Sequence, residues 1–274
     1  MKDFKKRVQN SFNRKASSYD EYAILQKEVS RRMSEKLNMI KTQPKKILDL
    51  GCGTGFLTEE LSKNYPNTDI ISVDFSESML KICRDKFKNC KVICADIDHL
   101  PLAPSKFDLI ISSLTFHWCD DIYKIFQQAY NLLSNNGNLI FSSIGPDTLF
   151  ELNNAMKKID NQDHVNHFID MHHYGDALLE IGFNDPVVDN EKITIEYEEF
   201  KDVLKSIKNI GANVLDDKNS RYLTRKDFKL IEHNYQRNEE SNYPVTYEVL
   251  YGVSWKKPPM NPINNRDVIP IKTP

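Results

Sequence analysis

The sequence predicts a doubly wound α/β fold: a seven-stranded, mostly parallel sheet with a helical lid and cap. Three observations carry this. Short, wholly apolar runs alternate with helix-like segments between residues 46 and 142, the rhythm of a parallel sheet covered on both faces. The first run passes directly into a glycine turn, Gly51-Cys52-Gly53-Thr54-Gly55. Two more strand-like segments come later, beyond a stretch of mixed helices.

Residues 4–16 and 20–40 read as two helices, with a packing stripe of Leu25, Val29, Met33, Leu37 and Ile40 at helical spacing. Apolar runs at 46–50, 69–73, 91–95, 107–112 and 137–142 are the five parallel strands. Helices at 56–63, 76–87 and 122–133 separate them, the second capped by Ser76. After Gly145 the rhythm breaks, and residues 147–172 are polar and mixed. A helix over 174–181 ends at Gly182, whose freedom to take positive φ suits a C-terminal cap. Alternation at 192–197 and 247–255 gives the last two strands, with helices at 200–210 and 224–237 before the final one. The organisation expected is a lid over 1–42, a ligand-binding core over 43–145, late strands and a substrate cap over 146–256, and a disordered tail over 257–274 that holds five prolines.

Composition narrows the setting. The 274 residues are 40% hydrophobic, enough for a real core, and the net charge of −2 gives no general pull toward nucleic acid or a membrane surface. Residues 1–46 are the exception: 13 lysines and arginines against 5 acids leave +8, either a solvated helical face or a surface for an acidic partner. Five cysteines without paired C-x-x-C spacing argue against a disulfide framework or a zinc site and for a reducing compartment. With no apolar run of membrane-spanning length and no leader-like start, a cytoplasmic protein is expected. His164, His167, His172 and His173 are not spaced to put three ligands on one helix face, so no metal is expected.

The glycine turn is the informative segment. Backbone without side chains is needed where a ligand approaches closely, and such turns lie at the carboxyl edge of a parallel sheet. A dinucleotide fingerprint would need glycine at Phe56 or Thr58, and no phosphate-binding G-x-x-x-x-G-K-[ST] is present. The turn therefore suits a ligand without a pyrophosphate. Three acids end three successive strands: Asp49, Asp74 (nineteen residues past Gly55) and Asp96. Asp49 can face the ammonium of an amino-acid tail, Asp74 can accept from both ribose hydroxyls, and Asp96 can accept from an adenine amino group with Ile97 beside the ring. One acid at one strand end is a cap or turn residue; three beside a glycine turn are a binding edge.

The motifs ILDLGCGTG, VDFSESML, ADIDHLPL, FDLIISSL and LLSNNGNLIFS resemble those of class I S-adenosylmethionine-dependent methyltransferases, with their Rossmann-like fold. The resemblance implies S-adenosylmethionine as cofactor and contacts from Asp49, Gly51, Gly53, Asp74, Phe75, Met79, Asp96, Ile97 and Ser112. Flanking segments extend it. SFNRKASSYDEYAILQKEVSRRM, SLTFHWCDDI, IGANVLDDKNSRYLTR and YPVTYEVLYGV resemble the malonyl-[acyl-carrier protein] O-methyltransferases of biotin synthesis, so that the likeness covers about residues 11–255. This implies methylation of the free carboxylate of a malonyl group on acyl carrier protein. Other small-acid or quinone methyltransferases share the core motifs. GPDTLFEL, HVNHFIDMHHYGDALLEIGF and TYEVLYGVSW also resemble the non-methylating arginine-hydroxylase assembly factors of respiratory complex I.

A malonyl carboxylate is ionised at neutral pH, since carboxyl groups titrate near about 4, so this acceptor needs no general base and none is assigned. On the substrate side the candidates are Tyr19, between the two lid helices, His117 and Trp118 after the fourth strand, and one of Arg31, Arg32, Arg221 and Arg225 to orient the acceptor, with Arg31 and Arg225 put forward. Core packing accounts equally for Trp118, and surface charge for any single arginine.

Overall fold

The computed structural model describes residues 3–40, 42–87, 90–160, 164–210 and 224–257. One seven-stranded sheet organises them, in the order β3-β2-β1-β4-β5-β7-β6. Strands β1 (Lys46–Leu50), β2 (Asp69–Asp74), β3 (Lys91–Cys94), β4 (Phe107–Ser112) and β5 (Leu133–Ile144) pair in parallel; β7 (Tyr243–Trp255) runs antiparallel to both β5 and β6 (Asn184–Tyr197). The chain order reverses across β1 and β4, which is where open sheets of this kind bind ligands.

Strand periodicity sends alternate residues to opposite faces. Ile47, Leu109 and Ile111 pack beneath α2 (Ile24–Met39), α3 (Phe56–Asn64) and α6 (Phe150–Asp160). Leu48, Leu50 and Ile110 pack on the other side with α5 (Ile122–Leu132) and α7 (Met171–Ile181). Leu25, Val29, Met33 and Leu37 are buried on α2 as their spacing requires, each contributing about 1.5–3 kcal/mol. Ile40 lies just past the helix and packs only partly.

The structure revises several expectations. The lid does not break near Tyr19: α1 (Asp3–Tyr22) is continuous, and the chain bends at Ala23. Segment 17–19 holds no glycine or proline to stop a helix, and even the bend keeps its ladder, with Ala23 N donating to Tyr19 O and Lys27 N to Ala23 O. Helix α6 occupies the stretch read as irregular. Its buried Leu152, Ala155 and Met156 do have helical spacing, but Asn153 and Asn154 between them and Lys157 and Lys158 after them mask the stripe. Strand β6 begins at Asn184, well before residue 192. Its early part holds Pro186; β6 is the sheet edge and its register shifts between Asn184 and Val187, the setting in which a strand tolerates proline.

Ser76 caps α4 (Glu77–Lys86), its hydroxyl accepting from Met79 N, and Gly182 ends α7 at φ 99°. Helices α8 (Phe200–Asn209) and α9 (Arg225–Asn234) precede β7. Among the described residues no helix is long and apolar enough to cross a membrane. Arg221 and nearly all of segment 257–274 lie outside the described residues.

Candidate functional site

A recess forms where β1 and β2 end and the chain leaves β4. Asp49, Gly51, Gly53, Asp74, Phe75 and Met79 line it together, with Tyr19 and Gln26 from the lid. A smaller adjoining recess takes Asp96 and Ile97 beside Gly51 and Asp74. Eight of the nine residues expected to hold the cofactor are thus brought together. Ser112 is not: it is fully buried and its hydroxyl donates to Leu50 O at 2.8 Å, tying β4 to β1, so it faces neither recess. Ser113 and Thr115, just beyond, line the main recess in its place.

The glycine turn shows why its residues are glycines. Gly51 has φ 72°, and a Cβ there would lie 2.1 Å from Thr115 Oγ1. Gly53 has φ 55°, and a Cβ there would meet nothing within 4 Å, because that side is the open recess. The N–H of Gly53 donates to Asp74 Oδ2 at 2.9 Å, and Ser76 N donates to Asp74 Oδ1 at 2.8 Å. Strand β2 thus pins the turn through one carboxylate.

Burial resists the charge of both inner acids. Burial pushes the Asp74 carboxyl up to about 6, moderated by the N–H groups of Ser76, Gly53 and Phe75. Asp49 is pushed up to about 7, first by burial, with the Thr58 hydroxyl pulling it down and the Asp74 charge pushing it up. Thr58 donates to Asp49 Oδ2 at 2.6 Å, while Asp49 Oδ1 is buried with no hydrogen-bond partner. An orphaned oxygen on an acid that lines the recess calls for a donor from the ligand. These groups fit a cationic nucleoside: two buried acids, bare backbone at Gly53, and apolar Phe75, Met79 and Ile97.

The lid is fastened over this edge. Lys5 of α1 donates to Asp96 Oδ1 at 2.5 Å and also to Asp98, and it is buried there. Gln9 Nε2 donates to Phe75 O at 2.6 Å, and Thr54 Oγ1 to Asp20 Oδ1 at 2.6 Å. Composition gave no reason to place Lys5 against Asp96; only its unpaired charge at an otherwise apolar helical position hinted at it. Part of the basic excess of the lid is likewise met by acids outside it: Arg32 pairs with Glu191, and Lys36 lies 3.9 Å from Asp189, whereas Arg31 pairs within the lid, with Glu28 and Glu35.

Beyond Tyr19 and Gln26 the recess opens into an apolar cavity of about 630 Å³, walled by α1, α2, α6 and α8. Phe12, Tyr19, Gln26 and Leu114 belong to both linings and so mark the junction. Leu114 is held there at φ 49°, its N–H donating to Ser142 O at 3.1 Å. Phe12 meets Tyr19, Phe75 and Trp118 at ring separations of 6.4, 6.3 and 5.7 Å, an aromatic wall built from the lid and the β4 edge. His117 and Trp118, on a 3₁₀ turn (Phe116–Trp118), line the cavity.

The arginines do not. Arg31 is exposed on the outer face of α2, its charge engaged by acids one turn away on either side, and Arg225 is exposed at the start of α9; neither lines the cavity. Among the described residues its cations are Lys201, Lys205 and Lys208 of α8. Gln26 was missed because an amide inside an amphipathic stripe carries no sequence signal of its own. Of the four histidines weighed as a group, His164 lines the cavity and His172 pairs with Asp170 on the surface. Among the described residues no cluster has metal-holding geometry.

Comparison with known proteins agrees with this geometry. Residues 48–141 match the methyltransferase domain family. Solved structures sharing the fold include the YcgJ protein of Bacillus subtilis (13% identical, covering 82% of this chain and 98% of that one, TM-score 0.60). Another is phosphoethanolamine N-methyltransferase 2 of Haemonchus contortus with S-adenosylhomocysteine (17% identical, 83% and 53%, TM-score 0.54). The fold is that of an S-adenosylmethionine-dependent methyltransferase. Over nearly its whole length the chain resembles one group within that class. It is 38% identical to malonyl-[acyl-carrier protein] O-methyltransferase of Gallionella capsiferriformans over 98% of this chain and 96% of the relative. The enzyme of the same name from Legionella pneumophila is 36% identical over 91% and 90%. The chain belongs to the malonyl-[acyl-carrier protein] O-methyltransferase family.

Proposed function

We propose that the protein methylates the free carboxylate of a malonyl thioester carried on acyl carrier protein, an early step of biotin synthesis. The observation that carries this is the junction itself: a recess lined by buried acids opens past Tyr19 and Gln26 into an apolar cavity of about 630 Å³, far more than a malonyl unit needs. That room suits an acceptor delivered on a long arm. In this reading Asp74 and Gly53 hold the ribose side of the cofactor, Asp49 its amino-acid end, Asp96 and Ile97 the adenine, and helices α1 and α2 close over it. The five cysteines are all free, which accords with a reducing, cytoplasmic setting.

Bound S-adenosylmethionine supplies a methyl group on a positively charged sulfur; as the carboxylate oxygen gains it, the sulfur keeps the bonding pair and no proton moves. The chain therefore needs to orient the acceptor and exclude water, and it has no acid–base task. His117 accords with that, because burial pushes its pKa down to about 3 and holds the imidazole neutral.

Purified protein incubated with methyl-labelled cofactor and malonyl-acyl carrier protein is expected to give a label released as methanol by mild base. A base-stable label would point to transfer to carbon or nitrogen, and absence of S-adenosylhomocysteine to a protein that binds without transferring; either overturns the assignment.

Cofactor affinity is expected to depend on pH with a definite sign. Asp49 and Asp74 titrate at about 7 and about 6 in the free protein, and a cationic ligand favours their ionised forms, so binding expels any protons they carry. Affinity then falls on acidification below pH 7, approaching on the order of tenfold per pH unit for each proton held. Calorimetry from pH 8 to pH 5 checks this; a flat profile would mean that the two acids do not face the ligand's charge.

A further inference from the structure

Two buried polar atoms at the cavity lack partners. Gln26 Oε1 and His117 Nδ1 are screened from solvent and make no hydrogen bond, and they are the two such atoms among the described residues that line the apolar cavity. Leaving a buried polar group unmet is costly, so a pair of them on one cavity wall marks where a ligand's polar group belongs. Gln26 also lines the cofactor recess, so the amide stands where acceptor and donor must meet. His117 lines the same cavity, its ring 5.0 Å from Trp118 and edge-on to Phe168 at 5.8 Å. No arginine lines this cavity among the described residues, and its lysines sit on α8, outside the recess lining.

We propose that Gln26 and His117 are the hydrogen-bond partners of the acceptor carboxylate, an uncharged pair that positions the anion at the junction without neutralising it. This rests on the malonyl reading above. The amide can turn its Nε2–H₂ toward the carboxylate, and the neutral imidazole has one N–H to give. Uncharged donors suit this reaction better than a guanidinium. The oxygen loses its negative charge as the ester forms, so a fixed cation beside it would stabilise the reactant more than the transition state and slow transfer. The apolar surroundings work in the same direction by denying the carboxylate its hydration.

Four variants test the pair with malonyl-acyl carrier protein as acceptor: Gln26→Leu, Gln26→Glu, His117→Phe and His117→Gln. Losing one hydrogen bond to a charged group is expected to lower kcat/KM for the acceptor by about ten- to hundredfold in Gln26→Leu and in His117→Phe. Calorimetric affinity for S-adenosylmethionine should stay at the wild-type value in His117→Phe, which lies outside the recess lining, and a wild-type denaturant midpoint certifies folding in Gln26→Leu, where that affinity carries no weight because Gln26 borders the recess. His117→Gln, which restores an uncharged donor, should recover much of the rate. Gln26→Glu should lose more than Gln26→Leu at pH 8 and regain activity on acidification as the new carboxyl takes up a proton, a response that a packing role would not give. Wild-type rates in Gln26→Leu and His117→Phe, or a His117→Gln no better than His117→Phe, would overturn the pair. If the wild-type protein itself forms no malonyl methyl ester, the functional reading fails and the pair falls with it; a competent wild type with indifferent variants removes the pair alone.

Discussion

Replacing Asp74 by alanine is expected to weaken S-adenosylmethionine binding by about a hundred- to ten-thousandfold, the loss of two hydrogen bonds from ribose hydroxyls to a charged acceptor. The carboxylate has a second task that sharpens the result. It accepts from Gly53 N and Ser76 N, one on each oxygen, and so joins the glycine turn to the start of α4. Alanine leaves both N–H groups unmet in a buried place, and the turn loses its anchor. Asparagine is the informative companion. Its single carbonyl oxygen can satisfy one of the two donors, while its NH₂ must face the other, so Asp74→Asn should remain damaged despite near-identical shape. Isothermal titration of both variants at pH 8, where the wild-type acid is ionised, measures this. Affinity in Asp74→Ala within a few-fold of the wild type would remove Asp74 from the binding edge.

The buried thermodynamics of the same acid run the opposite way in the free protein. Its pKa is raised above the ordinary carboxylate value, to about 6, so the folded state prefers the protonated form. The contribution of this group to stability is present at low pH and is lost as pH rises through about 6. Asp49 behaves alike, near about 7. A site that disfavours its own charge is one prepared for a cation, and ligand binding should reverse the trend.

The sheet and the cofactor edge were legible in the sequence because they are written in local terms. Fully apolar strands such as 107–112, a glycine turn and acids at strand ends are short-range signals with one physical cause each. What was not legible depends on partners distant in the chain. Lys5 meets Asp96 across 91 positions and Arg32 meets Glu191 across 159; nothing near either residue announces the pairing. Arg31 is the exception: its partners Glu28 and Glu35 lie three and four residues away, and what the sequence does not show is that this side of α2 is turned to solvent. Ser112 stood at the right strand end, but its side chain points back to Leu50 O. The continuity of α1 through Tyr19 follows from packing as well, since the Tyr19 ring lies between Phe12 and Phe56, at 6.4 and 6.3 Å. Aromatic contacts on both sides hold a segment helical whose serines alone would favour a turn.

The two glycines of the binding turn should fail in different ways, and the contrast tests the recess. At Gly51 a methyl group would meet Thr115 Oγ1, Cγ2 and Cβ at 2.1, 2.3 and 2.7 Å with the backbone already at φ 72°. Gly51→Ala therefore combines the left-handed penalty of about 1–2 kcal/mol with an overpacking cost of about 1–3 kcal/mol. A fall in stability of about 2–5 kcal/mol is expected in denaturant unfolding, enough to remove much of a typical domain's margin. Pairing it with Thr115→Ala should recover only part, because the Cβ of residue 115 remains too near. At Gly53 nothing obstructs a methyl group, so Gly53→Ala should lose only about 1–2 kcal/mol for its backbone conformation. Its methyl group would stand in the recess beside Asp74, where the ligand must come against bare backbone, and cofactor affinity should collapse in a protein that is still folded. A destabilised Gly53→Ala with normal affinity would place the ligand elsewhere, since a side chain can be neutral to binding only where no ligand needs that space.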